Sequence, residues 1–124
     1  MSRKIKFRLY SKPAKKYIDY ITIGFLNTGE LRSYSTENGF GPVLEDNYIV
    51  EQYTGLKDKN GKEIYEGDIV EGDMGVFEVM WYDLAAQFMF APNIDMKWHP
   101  PFVYDQVKEM EVIGNIHENG DLLK

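Results

Sequence analysis

The sequence lacks cysteine altogether and contains few histidines and serines: of its 124 residues, two are His and four are Ser. Without cysteine, neither disulfides nor thiolate metal sites can form, and this usage fits a cytosolic protein. None of the serines lies in the Gly-x-Ser-x-Gly turn that carries the nucleophile of many hydrolases. The composition therefore argues against disulfide scaffolds, zinc-thiolate proteins and serine hydrolases.

Long hydrophobic runs are also missing. Apolar stretches such as residues 79–82 are far shorter than a membrane span, and no apolar signal-peptide core follows the basic N-terminal residues. A hydrophobic fraction of 44%, with 15% aromatics, lies well above the range of disordered chains. We expect a soluble, folded, cytoplasmic protein without a membrane role. Its length is typical of one domain with one core.

Acidic residues are absent from the first sixteen positions, where half of the basic residues lie: Arg3, Lys4, Lys6, Arg8, Lys12, Lys15 and Lys16. This segment carries +7, whereas residues 17–124, with seven basic and twenty acidic side chains, carry −13. Clustered Lys and Arg can bind nucleic-acid phosphates. However, Ile5, Phe7 and Leu9 alternate with the basic residues, which favours a strand with one face in the core. Such a strand could equally meet the acidic body of another subunit.

The remaining pattern is that of short strands joined by turns. Strands are predicted at 17–26, 31–35, 44–53, 67–72, 75–83, 85–92 and 111–119, with a hairpin turn at 27–29, a loop at 37–42 and a corner at 72–75. The acidic pair Glu45–Asp46 is also compatible with a brief helix at the start of 44–53. Residues 103–109 and 120–123 are candidates for short helices. We expect a mainly β, β-rich α+β domain over residues 1–124, in which an N-terminal β-hairpin or sheet (about 1–50) precedes a small, partly open SH3-like barrel (about 51–124).

The stretch QYTGLKDKNGKEIYEGDIV, residues 52–70, has the composition of a ligand loop. An EF-hand requires ligating side chains at the first and twelfth positions, and aligning Gly61 with its sixth position places Leu56 and Gly67 there. A P-loop requires an earlier glycine and a hydroxyl after the lysine, and Gly61–Lys62 has neither. Asn60–Gly61 between apolar residues instead predicts a β-hairpin in which both residues take positive φ, with Asp58 stabilising the turn.

The GDIV segment at 67–70 predicts a strand entry. Gly67 allows the tight turn, and the Asp68 carboxylate accepts from nearby backbone N–H groups.

Catalytic and metal-binding patterns are not found. His99 and His117 lack the spacing of a helical metal site, and the acid pairs Glu66/Asp68 and Glu71/Asp73 are explained as exposed strand residues. We therefore expect no enzyme, no metal and no cofactor. The aromatic residues exceed what one small barrel needs, which predicts an apolar patch and a homo-oligomer: Trp81, Tyr82, Phe88, Phe90, Trp98 and Phe102.

Residues 52–70, together with EVIGNIHEN at 111–119 and the opening IKFRLYSKPAKKY, resemble the YopX family of phage and prophage proteins. Residues 81–108 are the least similar. The resemblance implies a small, mainly β protein of the host-cell cytoplasm, encoded on mobile elements, found in multi-subunit assemblies and without an assigned activity. It brings no catalytic residues. We therefore expect an oligomeric interaction or assembly protein. The alternative is a nucleic-acid-binding module that uses Arg3, Lys4, Lys6 and Arg8.

Overall fold

A computed structural model describes residues 5–18, 22–25, 31–35, 39–42, 47–73, 75–82, 87–91 and 107–123. Within these residues the chain forms eleven strands and one short 3-10 helix. The chain divides into two compact units, one comprising Met1–Phe7 with Gln52–Lys124 and the other Arg8–Glu51. The expectation of a single domain over residues 1–124 stays a prediction.

The Arg8–Glu51 unit is built from antiparallel strands: β1 (Phe7–Ser11), β2 (Lys16–Ile18), β3 (Thr22–Phe25), β4 (Leu31–Ser35), β5 (Gly39–Pro42) and the first part of β6 (Tyr48–Lys57). The β1–β2 hairpin pairs Leu9 with Ile18, and both side chains are buried. Strands β3, β4 and β5 form a sheet in that order. The hairpin predicted between β3 and β4 is confirmed by their antiparallel pairing, although residues 26–30 lie outside the described part.

The loop predicted at 37–42 is wrong over its second half. Residues 39–42 pair with β4 as an antiparallel strand, with Phe40 opposite Tyr34 and Pro42 opposite Arg32. The glycines and the proline had indicated a loop. Pro42 is compatible with a strand because β5 is the outer strand in the order β3-β4-β5, and outer strands are where sheets tolerate proline.

The unit of Met1–Phe7 and Gln52–Lys124 contains the rest of β6 and the strands β7 (Glu63–Tyr65), β8 (Asp68–Gly72), β9 (Gly75–Tyr82), β10 (Gln87–Ala91) and β11 (Glu111–Asn115). Four of them form an antiparallel sheet in the order β10-β9-β8-β11. The predicted corner at 72–75 is confirmed, because Gly72 pairs with Gly75 where β8 turns into β9. Beyond β11, the 3-10 helix η1 (Gly120–Leu123) confirms the predicted C-terminal helical turn, whereas residues 103–106 of the other candidate helix lie outside the described part.

The core of this unit follows the period-two pattern of its strands. Phe77 and Val79 lie on one face of β9 and are 3% and 0% exposed, and Phe90 of β10 pairs with Val79 on the same face. The rings of Phe77 and Phe90 lie 5.6 Å apart. These residues form one apolar cluster with Ile64, Val70, Val107, Met110 and Val112.

The predicted mainly β fold is confirmed: strands dominate the described residues, helix is almost absent from them, and the strands make a curled half-barrel sheet and a second antiparallel sheet. Closer assignment of the half-barrel to the SH3-like class stays a prediction.

Candidate functional site

The N-terminal basic residues were the sequence's candidate contacts for nucleic acid, and two of the four are described. Lys6 Nζ donates to both carboxylate oxygens of Glu63, at 2.8 and 3.0 Å, and lies 5.9 Å from the centre of the Tyr53 ring. The hydrogen bond to Glu63 raises the pKa of Lys6 against the opposing effect of desolvation. Lys6 is therefore held as a cation by a carboxylate of its own chain. Arg3 and Lys4 lie outside the described residues.

Arg8 is more deeply engaged than Lys6. Its Nε donates to Oε1 of Glu51 at 2.8 Å, and its guanidinium lies 4.4 Å from the centre of the Tyr17 ring. The hydroxyl of Tyr17 donates to the same Glu51 oxygen at 2.8 Å. Because the Glu51 side chain is only 3% exposed, the arginine supplies the charge that a buried carboxylate needs.

The predicted inward face of the N-terminal strand is correct only in part. Leu9 is 4% exposed as expected, and Phe7 is half-buried, but Ile5 is 61% exposed. Ile5 precedes β1, which begins at Phe7, so the alternation in the sequence extends beyond the strand that could bury it. Tyr10 and Ser11 are buried as well, which means that both faces of β1 are covered at its end.

The hairpin at 58–62 is a structural turn, as predicted, but its geometry differs from the prediction. Asp58 N–H donates to Lys62 O at 2.8 Å, and Gly61 N–H donates to Asp58 O at 3.0 Å. Gly61 has φ of +83°, whereas Asn60 is not among the positive-φ residues of the described chain. The loop is thus a turn over Lys59–Asn60 followed by one left-handed glycine, the usual three-residue hairpin loop.

Asp58 stabilises this turn and also ties it to β11. Its Oδ1 accepts from the backbone N–H groups of Asn60 and Lys62, both at 2.9 Å, and its Oδ2 accepts from Val112 N–H at 2.9 Å. Burial alone would raise the pKa of Asp58, but these donors outweigh it and hold the pKa below its ordinary value. A carboxylate occupied in this way serves the fold and not a ligand.

The predicted strand entry at 67–70 is confirmed, both in the turn at Gly67 and in the hydrogen bonding of Asp68. Gly67 has φ of +88°, and Asp68 Oδ2 accepts from Tyr65 N–H at 2.8 Å. Ile69 and Val70 follow, both fully buried.

The predicted apolar patch is represented by Trp81 and Phe88. They pair across β9 and β10, and their rings meet edge to face at 5.1 Å. Trp81 is 43% exposed, although it lies on the same face of β9 as the buried Phe77 and Val79. Phe90 belongs to the core, whereas Trp98 and Phe102 lie outside the described residues and the Tyr82 side chain is not described.

Other sites considered from the sequence are partly visible. His117 is half-buried in the loop after β11, where its backbone N–H donates to Asn115 Oδ1 at 3.1 Å. His99 lies outside the described part. Among the residues that the structure describes, no group of three His, Asp or Glu is arranged to hold a metal ion. The same residues include no helix with the length and apolar character to cross a bilayer.

Comparison with solved structures supports the fold over nearly the whole chain. The chain is similar to protein EF1440 from Enterococcus faecalis, with 27% identity and a TM-score of 0.71, covering 99% of this chain and 100% of that one. It shares its fold with protein yopX from Bacillus subtilis, with 23% identity and a TM-score of 0.56, covering 95% of this chain and 97% of that one. No curated protein matches the sequence. The sequence model of the YopX protein family matches residues 6–124, and the chain therefore belongs to the YopX family.

Proposed function

We propose that the protein is a non-enzymatic interaction protein that works as a homo-oligomer, in the cytoplasm of a host cell that carries a phage or prophage. The observation that carries this proposal is the aromatic pair Trp81–Phe88 at the end of the core face of β9 and β10, in which Trp81 is exposed and Phe88 is half-buried. Large aromatic residues left in water beside a core are typical of the centres of protein interfaces.

The position of the pair within the sheet strengthens the argument. Along β9 the exposed fraction changes from 3% at Phe77 and 0% at Val79 to 43% at Trp81. The apolar face of the strand therefore extends beyond the core that covers its first part. β10, which carries Phe88, is the outer strand in the order β10-β9-β8-β11. Helix η1, with Leu122 44% exposed, lies against β9. A second copy that covered this apolar face would bury side chains that the chain itself leaves in contact with water.

The described carboxylates support a role without catalysis. The buried ones, Glu51, Asp58 and Asp68, each accept hydrogen bonds from a tyrosine, an arginine or backbone N–H groups of their own chain. Such groups are fixed by the fold, whereas a general base must reach its substrate.

Nucleic-acid binding through the N-terminal strand is the weaker candidate. Lys6 and Arg8 are paired with Glu63 and Glu51, and a phosphate would have to displace these carboxylates, one of them buried. The net charge of −6 adds long-range repulsion from a polyanion.

Sedimentation velocity on two matched variants tests the proposal. We expect the wild type to sediment as an oligomer at micromolar concentration, and Trp81→Arg to sediment as a smaller species because a cation replaces an interface aromatic. Gln87→Arg adds the same charge to the opposite face of the adjoining strand, where Gln87 is already exposed, and should leave the assembly intact. A monomeric wild type would contradict the proposal.

A gel-shift experiment at low salt tests the alternative. We expect no shift of single- or double-stranded DNA. A shift that neutralisation of Arg3, Lys4, Lys6 and Arg8 abolishes would favour the nucleic-acid module instead.

A further inference from the structure

A second feature of the molecule, distinct from the aromatic pair, is the tip of the β1–β2 hairpin. Residues 12–15 connect the two strands, and Lys12, Lys15 and Lys16 are all exposed. Lys15 N–H donates to Ser11 O at 2.8 Å, and Ala14 N–H donates to Ser11 Oγ at 3.2 Å. Three cations are thus presented by a hydrogen-bonded turn. We call Lys12, Lys15 and Lys16 the lysine tip.

The backbone of the lysine tip is unusual at Lys15. Lys15 has φ of +56°, and it is the one non-glycine residue with positive φ in the described ranges. Glycine or asparagine occupies this left-handed conformation at lower cost than lysine. Strained residues of this kind concentrate where a side chain contacts a ligand or partner.

The lysine tip also differs from other cations in its surroundings. Lys6, Arg8 and Lys59 form ion pairs with carboxylates of their own chain. Among the described residues, no carboxylate forms an ion pair with a lysine of the tip.

Four acidic side chains lie near one another at one end of the paired strands β8 and β11. Glu71 and Glu111 lie directly opposite each other across these strands. Like charges in this arrangement repel and cost stability, and one partly exposed lysine, Lys59, lies 3.6 Å from Glu111. The exposed residues Asp73 and Glu109 adjoin Gly72 and Met110, and a Cβ at Gly72 would lie 3.0 Å from Met110 Cγ. We call Glu71, Asp73, Glu109 and Glu111 the acidic end.

We propose that the lysine tip of one copy binds the acidic end of a second copy. This inference rests on the proposed homo-oligomer and specifies its orientation. The tip carries three exposed lysines, whereas the acidic end carries four carboxylates with one neighbouring lysine, so a tip-to-end contact joins opposite charges. Because the contact uses two different surfaces, it repeats from copy to copy and closes as a ring or extends as a filament.

A second copy fits the lysine tip better than nucleic acid does. Three lysines neutralise few phosphates, and the net charge of −6 opposes approach to a polyanion. The two described aromatic rings near the tip are also unavailable for base stacking. Tyr10 is buried, and the half-buried Tyr17 ring is packed by Tyr10 at 5.2 Å and by Arg8 at 4.4 Å.

A charge-swap experiment tests the contact. In Lys12→Glu/Lys16→Glu the tip is reversed and the strained Lys15 is left unchanged, and in Glu71→Lys/Glu111→Lys the acidic end is reversed. We expect each variant alone to assemble about tenfold more weakly than the wild type in low-salt sedimentation. An equimolar mixture of the two should recover assembly, because each then meets the complementary charge. Lys57→Glu/Lys62→Glu is the matched control, since it reverses two exposed lysines of the other hairpin and should assemble as the wild type does.

The possible results separate this inference from the proposed function. A monomeric wild type contradicts both. A wild-type oligomer whose assembly is unchanged by reversal of the tip contradicts the tip-to-end contact alone. Binding of a DNA fragment that is lost on reversal of the tip, with assembly unaffected, also overturns it. Recovery in the mixture supports it, and partial unfolding of either variant would not produce that recovery.

Discussion

Asp58 shows at the scale of one residue how a polar side chain in a suspected ligand loop can belong wholly to the fold. It is 6% exposed, and its carboxylate accepts from three backbone N–H groups. We expect Asp58→Asn to lower the free energy of unfolding by about 1–3 kcal/mol, because the amide turns a donor toward one of these N–H groups. Urea unfolding of the variant beside Asp73→Asn, an exposed carboxylate in the 72–75 corner, measures the effect.

The stabilisation by Asp58 also has a defined pH dependence. Since its pKa is lowered in the folded state, the contribution is complete above about pH 4 and is lost as the pH falls through that lower folded value. The stability difference between wild type and Asp58→Asn should therefore shrink below about pH 4. A difference that stayed constant down to pH 2 would contradict the assigned hydrogen bonds.

The two ion pairs of the N-terminal residues should differ in what they contribute. Arg8→Met leaves the buried Glu51 without its cation, and in comparable sites this lowers the free energy of unfolding by about 3–5 kcal/mol. The hydrogen bond from the Tyr17 hydroxyl to Glu51 should reduce the loss. Lys6→Met breaks a pair whose side chains are 36% and 28% exposed, so water already screens the two charges and the loss of stability should be much smaller than for Arg8→Met. Thermal unfolding of both variants gives the comparison. Equal losses would show that the burial of Glu51 does not matter.

These pairings could not have been predicted from the sequence. Lys6 and Glu63 are 57 positions apart, and Arg8 and Glu51 are 43 apart. Local alternation indicated which residues of the strand carry charge, but the partner of each charge depends on the strand pairing, which a local pattern does not contain.

At the scale of an element, the geometry of the hairpin at 58–62 predicts unequal effects of two neighbouring substitutions on stability. Gly61→Ala should destabilise by about 1–2 kcal/mol, because alanine is strained at φ of +83°. A Cβ at this position would meet no atom within 4 Å, so backbone strain is the whole cause. Asn60→Ala keeps the backbone N–H that Asp58 binds and should change stability by less than about 0.5 kcal/mol. Equal losses in chemical denaturation would instead indicate positive φ at both residues.

Other elements show where sequence patterns succeed and where they fail. Asn60–Gly61 correctly predicted a hairpin, since local turn chemistry determines that a turn forms there. The turn type was missed because it depends on bonds to Asp58 and on the anchoring of Lys59 N–H by Met110 O, 51 positions away. Residues 39–42 were missed for a related reason. Their glycines and proline disfavour a strand locally, and pairing with β4 overrides that preference.

At the scale of the whole molecule, the net charge governs how copies interact in solution. The charge of −6 vanishes near the sequence pI of about 4.9. We expect turbidity to pass through a maximum near that pH and to clear on return to neutral pH, because mutual repulsion is lost before the acid destabilisation below about pH 4 begins. Light scattering with parallel circular dichroism tests this. Turbidity that first rises only below pH 4, together with loss of structure, would point to unfolding instead.

The fold class and family of the molecule could be predicted from the sequence, but its surfaces could be predicted only in part. Strand alternation and turn residues are local properties, and they sufficed for a mainly β chain. An excess of aromatic residues indicated a patch, but only the register of Trp81 with Phe88 shows where it lies. The sequence showed the lysine tip only as a cluster of charge, because the partner of each cation depends on where the fold places the carboxylates.

The three hydrogen bonds that the Asp58 carboxylate accepts have a consequence for hydrogen exchange. The amide protons of Asn60, Lys62 and Val112 come from a turn and a distant strand, yet all three are protected by one carboxylate. They should exchange with solvent deuterium at a common rate whenever opening of that carboxylate limits exchange. Three amide signals separated by up to 52 positions in the chain would then report a single local opening event.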